Sequence, residues 1–534
     1  MKVHRIDTDV LIIGSGIAGL KAALEVTKAG KECIVVSKYP VGKATNTTLG
    51  GGAFSVSTDK FSPEEHMQKT LNSGRMLNNR ELVERFVNNA RSDVQELVNL
   101  GLKAHFHDTG FRCLSPYLVG GPMITKALVK AVRGANIRCV ENIMITDLMV
   151  TDKTCRGAVG FHKENGEWYG FQARAVILAT GGAGAIYARN DNTTGATGDG
   201  YALALLAGLE LMDMEFVQFY PLVYAGSGRA RMILPSYFGD AGNIINRRGE
   251  DLKDKYSLPR RLIATVTRDQ LAQALFREIK MGNDVDGAII LDMRQADRST
   301  LPLSDDLLEL YKKKTSYDTK PLKIAPACHH TMGGILIDAD GHTELKGLFA
   351  AGEVTGGIHG ANRMGGNAYS EALVFGGCAA RAASREIADT TIISDFEGLV
   401  KDCAGKWNAL LNTGADKRSE VFATMENLKQ VLWEKAGIIR DEASLQEGIE
   451  KTGDISGAVQ SLRARNINEL YRIVECRNAV LTGLSIALAA IERKESRGSH
   501  YREDYPAENK EWERHVYVAM KGEKPAVSRI IPAI

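Results

Sequence analysis

The 534-residue sequence has eight cysteines, and none falls in a CxxC, a CxxCH or a paired cluster. Cys33, Cys113, Cys139, Cys155, Cys328, Cys378, Cys403 and Cys476 are scattered. That spacing excludes a self-contained iron–sulfur cluster or a c-type haem. Buried, reduced thiols are the expectation, and no metal site is expected. Long apolar runs are also missing: nothing approaches about 18 uninterrupted residues, so direct membrane insertion is not expected. Charge of one sign is lacking too, with 67 Lys and Arg against 65 Asp and Glu, a net charge of +2. No nucleic-acid partner is therefore expected. The opening segment Met1 to Asp9 is polar and lacks the regions of a secretory signal, and a cytoplasmic location is expected.

What is present is ordinary globular usage, 44% hydrophobic and 25% charged, in a chain long enough for two or three units. A short apolar run, Asp9 to Ile13, is followed by a glycine cluster, a helical pattern from Ile17 to Lys28 and a second short strand, Glu32 to Val36. A third apolar run, Ala175 to Ala179, precedes Gly181 and Gly182 and a helical stretch at Tyr201 to Ala207. Alternating strands and helices imply α/β architecture with a parallel sheet. From about Phe219 to Ala327 the texture changes to aromatic and Arg-rich loops with helices near Asp269 to Met281 and Asp305 to Lys314. The glycine-rich texture then returns until about Ala383, and Leu399 to Glu495 reads as amphipathic helices. The expected division is a discontinuous Rossmann-like domain, 1–218 and 328–390, an inserted α+β capping domain, 219–327, a helical bundle domain, 391–510, and a C-terminal tail, 511–534.

Gly14-Ser15-Gly16-Ile17-Ala18-Gly19 stands between the first strand and the first helix. Glycines are required there for a tight turn, for close approach of backbone to a pyrophosphate and for packing of helix on strand, while the helix N-terminus supplies amides to the anion. The acidic residue that would bind a ribose at the end of the second strand is missing, and Ser37-Lys38 occupies its place, which argues against a simple NAD site.

A second cluster, Thr45-Asn46-Thr47-Thr48-Leu49-Gly50-Gly51-Gly52, comes next, followed by Leu178-Ala179-Thr180-Gly181-Gly182 and Gly198-Asp199-Gly200. Further on stand Pro326 to Gly334, Gly347 to Glu353 and His359-Gly360-Ala361-Asn362-Arg363-Met364-Gly365-Gly366-Asn367. With these motifs the chain resembles the flavoprotein of succinate dehydrogenase and fumarate reductase, and L-aspartate oxidase, from about Asp9 to Pro506. The resemblance implies FAD. It places cofactor contacts at Gly14, Gly16, Ala18, Gly19, Ser37, Lys38, Thr45, Thr48, Gly50, Gly51, Gly52, Ile145, Ala179, Thr180, Gly181, Asp199, His330, Gly352, Glu353, Arg363, Asn367, Ala368 and Tyr369. Members that attach FAD covalently do so through a His six residues before the paired glycines. Thr45 stands there, so the resemblance implies non-covalent flavin. His329 and Arg363 would bind a substrate carboxylate. Glu495 to Arg502 matches a further signature, with a role in docking between domains.

The inserted region departs from the family pattern. Tyr220 replaces a His in the stretch Gln218-Phe219-Tyr220-Pro221, Pro235-Ser236 replaces a Thr-Glu pair, and alignment at Arg268-Asp269 puts Gln273 where a proton-donating Arg belongs. The expected catalytic set is therefore His329, Arg363, Tyr220 and Gln273. Tyr224, Tyr237, Arg229 and Arg231 are further candidates. Loss of an Arg charge disfavours a dicarboxylate. The leading expectation is hydride transfer between flavin N5 and a C–C bond beside a carboxyl or acyl group, on a small-molecule substrate other than succinate or fumarate. Two alternatives stand beside it: a fumarate reductase or aspartate oxidase with Arg268 as the catalytic Arg, and an electron-transfer subunit working with an iron–sulfur or other electron-transfer protein.

Overall fold

The protein is described by a computed structural model covering residues 3–226, 232–297, 301–387, 393, 395–411 and 420–533. Arg229 and Arg231 lie outside the described residues. The central sheet runs in the order Arg138–Val140, Cys33–Val36, Val3–Ile13, Trp168–Leu178, Thr154–His162, Ile143–Thr151. The first four strands are parallel, with Val10 opposite Cys33 and Val10 opposite Ala175. Leu348–Ala350 joins in parallel on the C-terminal end of Trp168–Leu178.

Two features were hidden from the sequence pattern. The first strand begins at Val3, because the alternation of exposed Arg5 and Asp7 with buried Ile6 and Thr8 reads as polar although every second residue packs inward. The expected parallel sheet also carries an antiparallel meander, Ile143–Thr151 to Thr154–His162, whose two-residue turn is Asp152-Lys153 with φ of 49° and 55°. Both turn residues are left-handed, the geometry that Asn-Gly normally announces, and here no glycine marks it.

Residues 217 to 331 contribute an antiparallel sheet, in the order Met232–Ile233, Val217–Tyr224, Leu322–Thr331, Ile289–Asp292, Asn243–Ile245, with the helices Arg268–Lys280 and Asp305–Thr315 beside it. This region has an apolar core of its own, built on Leu222, Leu234, Phe238, Ile244, Leu271, Leu275 and Ile324. The helices Phe396–Asn408, Val421–Lys435, Glu442–Ser461 and Ile467–Glu492, by contrast, share one continuous core with the central sheet. Ile467–Glu492 is long and apolar enough to cross a bilayer, but 89% of its apolar window is buried inside the protein.

Within the segment 511–534, expected as a tail, the described residues carry the hairpin Arg514–Lys521 and Lys524–Pro532, which pairs with Leu211–Met212. Val516 and Val518 are fully buried on it, so the alternating pattern is that of a half-buried strand pair. The Glu495–Arg502 signature packs against the Ala361 loop: Ser499 donates its amide to the Ala361 carbonyl, and a Cβ on Gly498 would stand 2.4 Å from that same oxygen.

Candidate active site

A cleft of about 1160 Å³ runs from the glycine cluster at the first strand to the inserted sheet, larger than a drug-sized ligand requires. At its base Gly14, with φ of +120°, lies so close to the C-terminal end of Trp168–Leu178 that a Cβ would stand 2.1 Å from the Ala179 carbonyl. A Cβ on Gly19 would stand 2.0 Å from the Gly14 carbonyl, so this glycine sets the packing of helix on strand. Gly16 faces open space, its nearest neighbour being Thr47 Oγ1 at 3.5 Å, and the helix it opens has no side-chain cap. These are the three demands of a pyrophosphate-binding turn.

Of the cofactor residues expected from sequence, Gly14, Gly16, Ala18, Ser37, Lys38, Thr45, Gly50, Gly51, Ala179, Thr180, Gly181, His330, Gly352, Glu353, Arg363, Ala368 and Tyr369 line the cleft. Gly19, Thr48, Gly52, Ile145, Asp199 and Asn367 are not among the lining residues. Gly52 packs on Gly120, Thr48 closes a capping box with Thr45, and Ile145 is a buried strand residue opposite Gly160. Asp199 pairs with Lys38 Nζ at 2.6 Å, and Glu475 joins the same amine at 3.1 Å. Against burial, which lowers it, these two carboxylates hold the Lys38 ammonium above its ordinary range. Asn367 is fully buried, its carboxamide held by His66 Nε2 and Thr70 Oγ1, both at 3.0 Å.

The other end of the cleft gathers His329, His330, Arg363, Arg268 and Tyr220. His329 Nδ1 is 2.8 Å from the buried Asp191 carboxylate, which fixes the ring and leaves Nε2 for a ligand. Arg363 Nη2 donates to Gln218 Oε1 at 2.9 Å, while its Nε is buried without a partner. Arg268 Nε donates to the Ala264 carbonyl at 3.3 Å, and its Nη1 is likewise without a partner. Burial and the neighbouring Arg268 push the Arg363 guanidinium down to about 9. Burial, then Arg363 and His359, push the His330 imidazole well below its ordinary value, and its Nε2 has no partner either. Glu353 accepts from Asn46 Nδ2 and the Thr331 amide; burial raises its carboxyl against those two bonds.

Gln273 is corrected. It is half-buried on the Arg268–Lys280 helix and is not among the residues lining the cleft, whereas Arg268 is. Five residues advance an α-helix by about 500°, or about 140° around its axis, so the two side chains leave different faces. Tyr220 does line the cleft, but its hydroxyl donates to the Leu234 carbonyl at 2.9 Å and burial pushes its ionisation upward. Its ring lies 5.6 Å from that of His329 and 5.7 Å from the Arg268 guanidinium. Ser236 and Tyr237 line the cleft, and Tyr224 does not. Sequence reading passed over Asp191 and gave Gln218 and Asn362 no role. The Asp191-Asn192 pair before the Gly195–Gly200 turn was the available signal.

Seven lysines and arginines line this cleft against a single carboxylate, Glu353, in a chain of nearly balanced charge. Buried orphan donors at Arg268, Arg363 and Thr180 point the same way: the cleft is built for anionic ligands. Glycine turn, size and charge together define a protein that binds an anionic dinucleotide cofactor in a cleft with room for a second ligand. A family model for the FAD binding domain matches residues 9–369, and one for the fumarate reductase flavoprotein C-term matches 425–529. One subunit of the fumarate reductase (CoM/CoB) of Methanothermobacter marburgensis is 34% identical, over 99% of this chain and 100% of its own. L-aspartate oxidase of Saccharolobus solfataricus is 32% identical over 94% and 97%. Among solved structures, a mutant of Escherichia coli quinol fumarate reductase superposes with a TM-score of 0.89 at 26% identity, covering 99% and 97%. The chain belongs to the fumarate reductase and succinate dehydrogenase flavoprotein family, and it is an FAD-dependent oxidoreductase.

Proposed function

We propose that the protein adds or removes hydrogen across a C–C bond next to a single carboxylate, on a substrate whose other end is uncharged. The observation that carries this reading is the contrast within one end of the cleft. Arg268 and Arg363 line the cleft and carry buried guanidinium nitrogens without a partner, while the other described residues that the inserted region brings to the lining, Tyr220, Ile233, Ser236, Tyr237, Leu262, Ala264, Thr265 and Val266, are apolar, aromatic or hydroxyl-bearing and uncharged. The bound FAD supplies the hydride chemistry at its N5. Arg363 and Arg268 hold the carboxylate and stabilise charge that develops on it. His329, oriented by Asp191, fixes the substrate through Nε2, and Arg268 is placed to exchange the proton at the neighbouring carbon. The roles of Gly14, Gly16 and Thr180 are to hold the cofactor. Thr45, whose hydroxyl bonds to Thr48 at 2.9 Å, offers no imidazole for attachment, so the FAD is held without a covalent bond; yellow colour retained on the acid-precipitated polypeptide would refute this.

Stopped-flow reoxidation of the dithionite-reduced protein by trans-cinnamate, crotonate and fumarate tests the substrate reading. Fast reoxidation by one of the monocarboxylates is expected, and fumarate alone at enzyme-like rates refutes it. A dicarboxylate substrate is the second reading, favoured by the presence of Arg268 in the cleft, and that outcome would establish it. Relatives named as flavoprotein subunits support a further step, that electrons are exchanged with an iron–sulfur partner. Pull-down of the native protein without any Cys-rich companion would count against it.

A further inference from the structure

Behind the two cleft arginines lies a chain of hydrogen bonds that crosses from the inserted region to the cofactor side. Arg363 Nη2 donates to Gln218 Oε1 at 2.9 Å; Gln218 Nε2 donates to Asn362 Oδ1 at 2.6 Å; Asn362 Nδ2 donates to Asp269 Oδ2 at 2.6 Å. A guanidinium only donates and a carboxylate only accepts, so the two ends admit one orientation of both carboxamides. Gln218 is fully buried, and neither it nor Asp269 lines the cleft. Asp269 is the second residue of the Arg268–Lys280 helix, adjacent to Arg268. Arg268 on its own helix and Arg75 both lie within electrostatic reach of its carboxylate.

We infer that Asp269 is a positioning residue for the substrate carboxylate: through Asn362 and Gln218 it fixes the orientation of the Arg363 guanidinium at the cleft. The inference rests on the carboxylate clamp proposed above and adds to it a remote anchor. Without an acceptor at position 269, the Asn362 carboxamide is free to turn, Gln218 Nε2 keeps only its longer 3.1 Å bond to the Arg363 carbonyl, and the Gln218 Oε1 that orients Arg363 is held less firmly. The same anchor ties the helix bearing Arg268 to the loop bearing Arg363, so both guanidiniums are set by one carboxylate.

Two other roles for Asp269 make different forecasts. As a mere negative charge near the clamp, its removal would tighten anion binding, and Asp269→Asn would behave like Asp269→Ala. As an anchor, it needs an acceptor atom and not a charge: Asp269→Asn keeps Oδ1 for Asn362 and retains binding within about twofold, whereas Asp269→Ala weakens it about tenfold, the scale of one lost buried hydrogen bond. The measurement is titration of the holoprotein with 3-phenylpropionate and with malonate, followed by flavin absorbance, together with the kcat and KM of whichever enoate turns over. The near-isosteric Gln218→Met should lose the same factor as Asp269→Ala, and the double variant should lose no more than either alone, because both cut one chain. Additive losses, or equal behaviour of Asn and Ala at 269, overturn the inference, and if Gln218→Met does not fold the Asn and Ala pair still decides. Failure of the wild-type protein to bind either acid overturns the clamp and the anchor together; binding that is insensitive to position 269 overturns the anchor alone.

Discussion

Replacing Arg268 with Met is the most informative single perturbation, because the structure makes it act in opposite directions on binding and on stability. In the folded protein Arg268 has one weak bond, 3.3 Å to the Ala264 carbonyl, and a buried nitrogen with no partner. It also adds to the burial that depresses Arg363 to about 9, a penalty on the charged form of on the order of 5 kcal/mol in total. Burial contributes the larger part, so relief of the Arg268 share is about 1–2 kcal/mol. Relief of the orphan donor adds about 1 kcal/mol, against about 1–2 kcal/mol for the lost carbonyl bond and the contact with the Tyr220 ring. The variant should therefore be as stable as the wild type or up to about 2 kcal/mol more so. For a carboxylate ligand the sign reverses. A guanidinium about 4 Å away contributes about 4 kcal/mol at an effective dielectric of about 20, so after partial screening the dissociation constant should rise by about 10² to 10³. Urea unfolding and flavin-monitored titration on the same preparation check both. A loss of more than about 2 kcal/mol of stability, or binding changed by less than about threefold, refutes the reading of Arg268 as a strained, functional cation. Gln273→Ala serves as the control and should leave binding unchanged.

Gly19→Ala should abolish flavin retention at purification, since its Cβ would sit 2.0 Å from the Gly14 carbonyl and backbone must move at the pyrophosphate turn; flavin content per chain checks it. Burial, then Glu353, push the Glu371 carboxyl up to about 8, so the folded state holds a proton there that the unfolded chain releases at lower pH. Stability therefore falls as pH rises from the usual carboxylate range through about 8, by at most about 5 kcal/mol. Glu371→Gln should flatten that slope in urea unfolding measured between about pH 5 and 8.5, being most stabilising at the alkaline end. Tyr220→His should raise kcat/KM for fumarate relative to cinnamate by about tenfold, because it exchanges a hydroxyl committed to Leu234 for a cation-capable ring beside His329; no change in that ratio would count against Tyr220 as a determinant of substrate charge.

The cofactor half of the site was legible because its requirements are local. Gly14, Gly16 and Gly19 follow one another within a single turn, and the backbone geometry that demands them is set by two neighbouring elements. The substrate half was legible in parts. His329 and Arg363 sit in long glycine-rich motifs, but the difference between Arg268 and Gln273 depends on which face of one helix meets the cleft, and five residues of offset are enough to reverse the answer. Asp191 and Gln218 escaped because their partners are 138 and 145 residues distant, a relation that periodicity does not carry. The C-terminal hairpin was missed for a related reason: its second strand, Lys524–Pro532, is largely solvent-facing, with a burial pattern that only a paired strand explains.

The inserted region has an apolar core of its own beside the one that the central sheet shares with the C-terminal helices, to which its Phe219, Ala272 and Phe276 also contribute. Side chains at Tyr220, Ile233 and Ser236 can therefore be exchanged without the cradle around Gly14 to Gly19 registering the change. Grafting the 219–327 segment of a relative onto this chain would cut the chain at two paired strands, Val217–Tyr224 and Leu322–Thr331, and would have to preserve the packing of Phe219 and Phe276 on Trp433. The tethers that such a graft must reproduce include the carboxamide of Asn362 reaching across to the acid at the head of the incoming helix, Arg277 against Tyr501 and Glu503, and the Gly287 carbonyl that accepts from Arg189. Chemistry would be inherited from the host, and choice of acid from the donor.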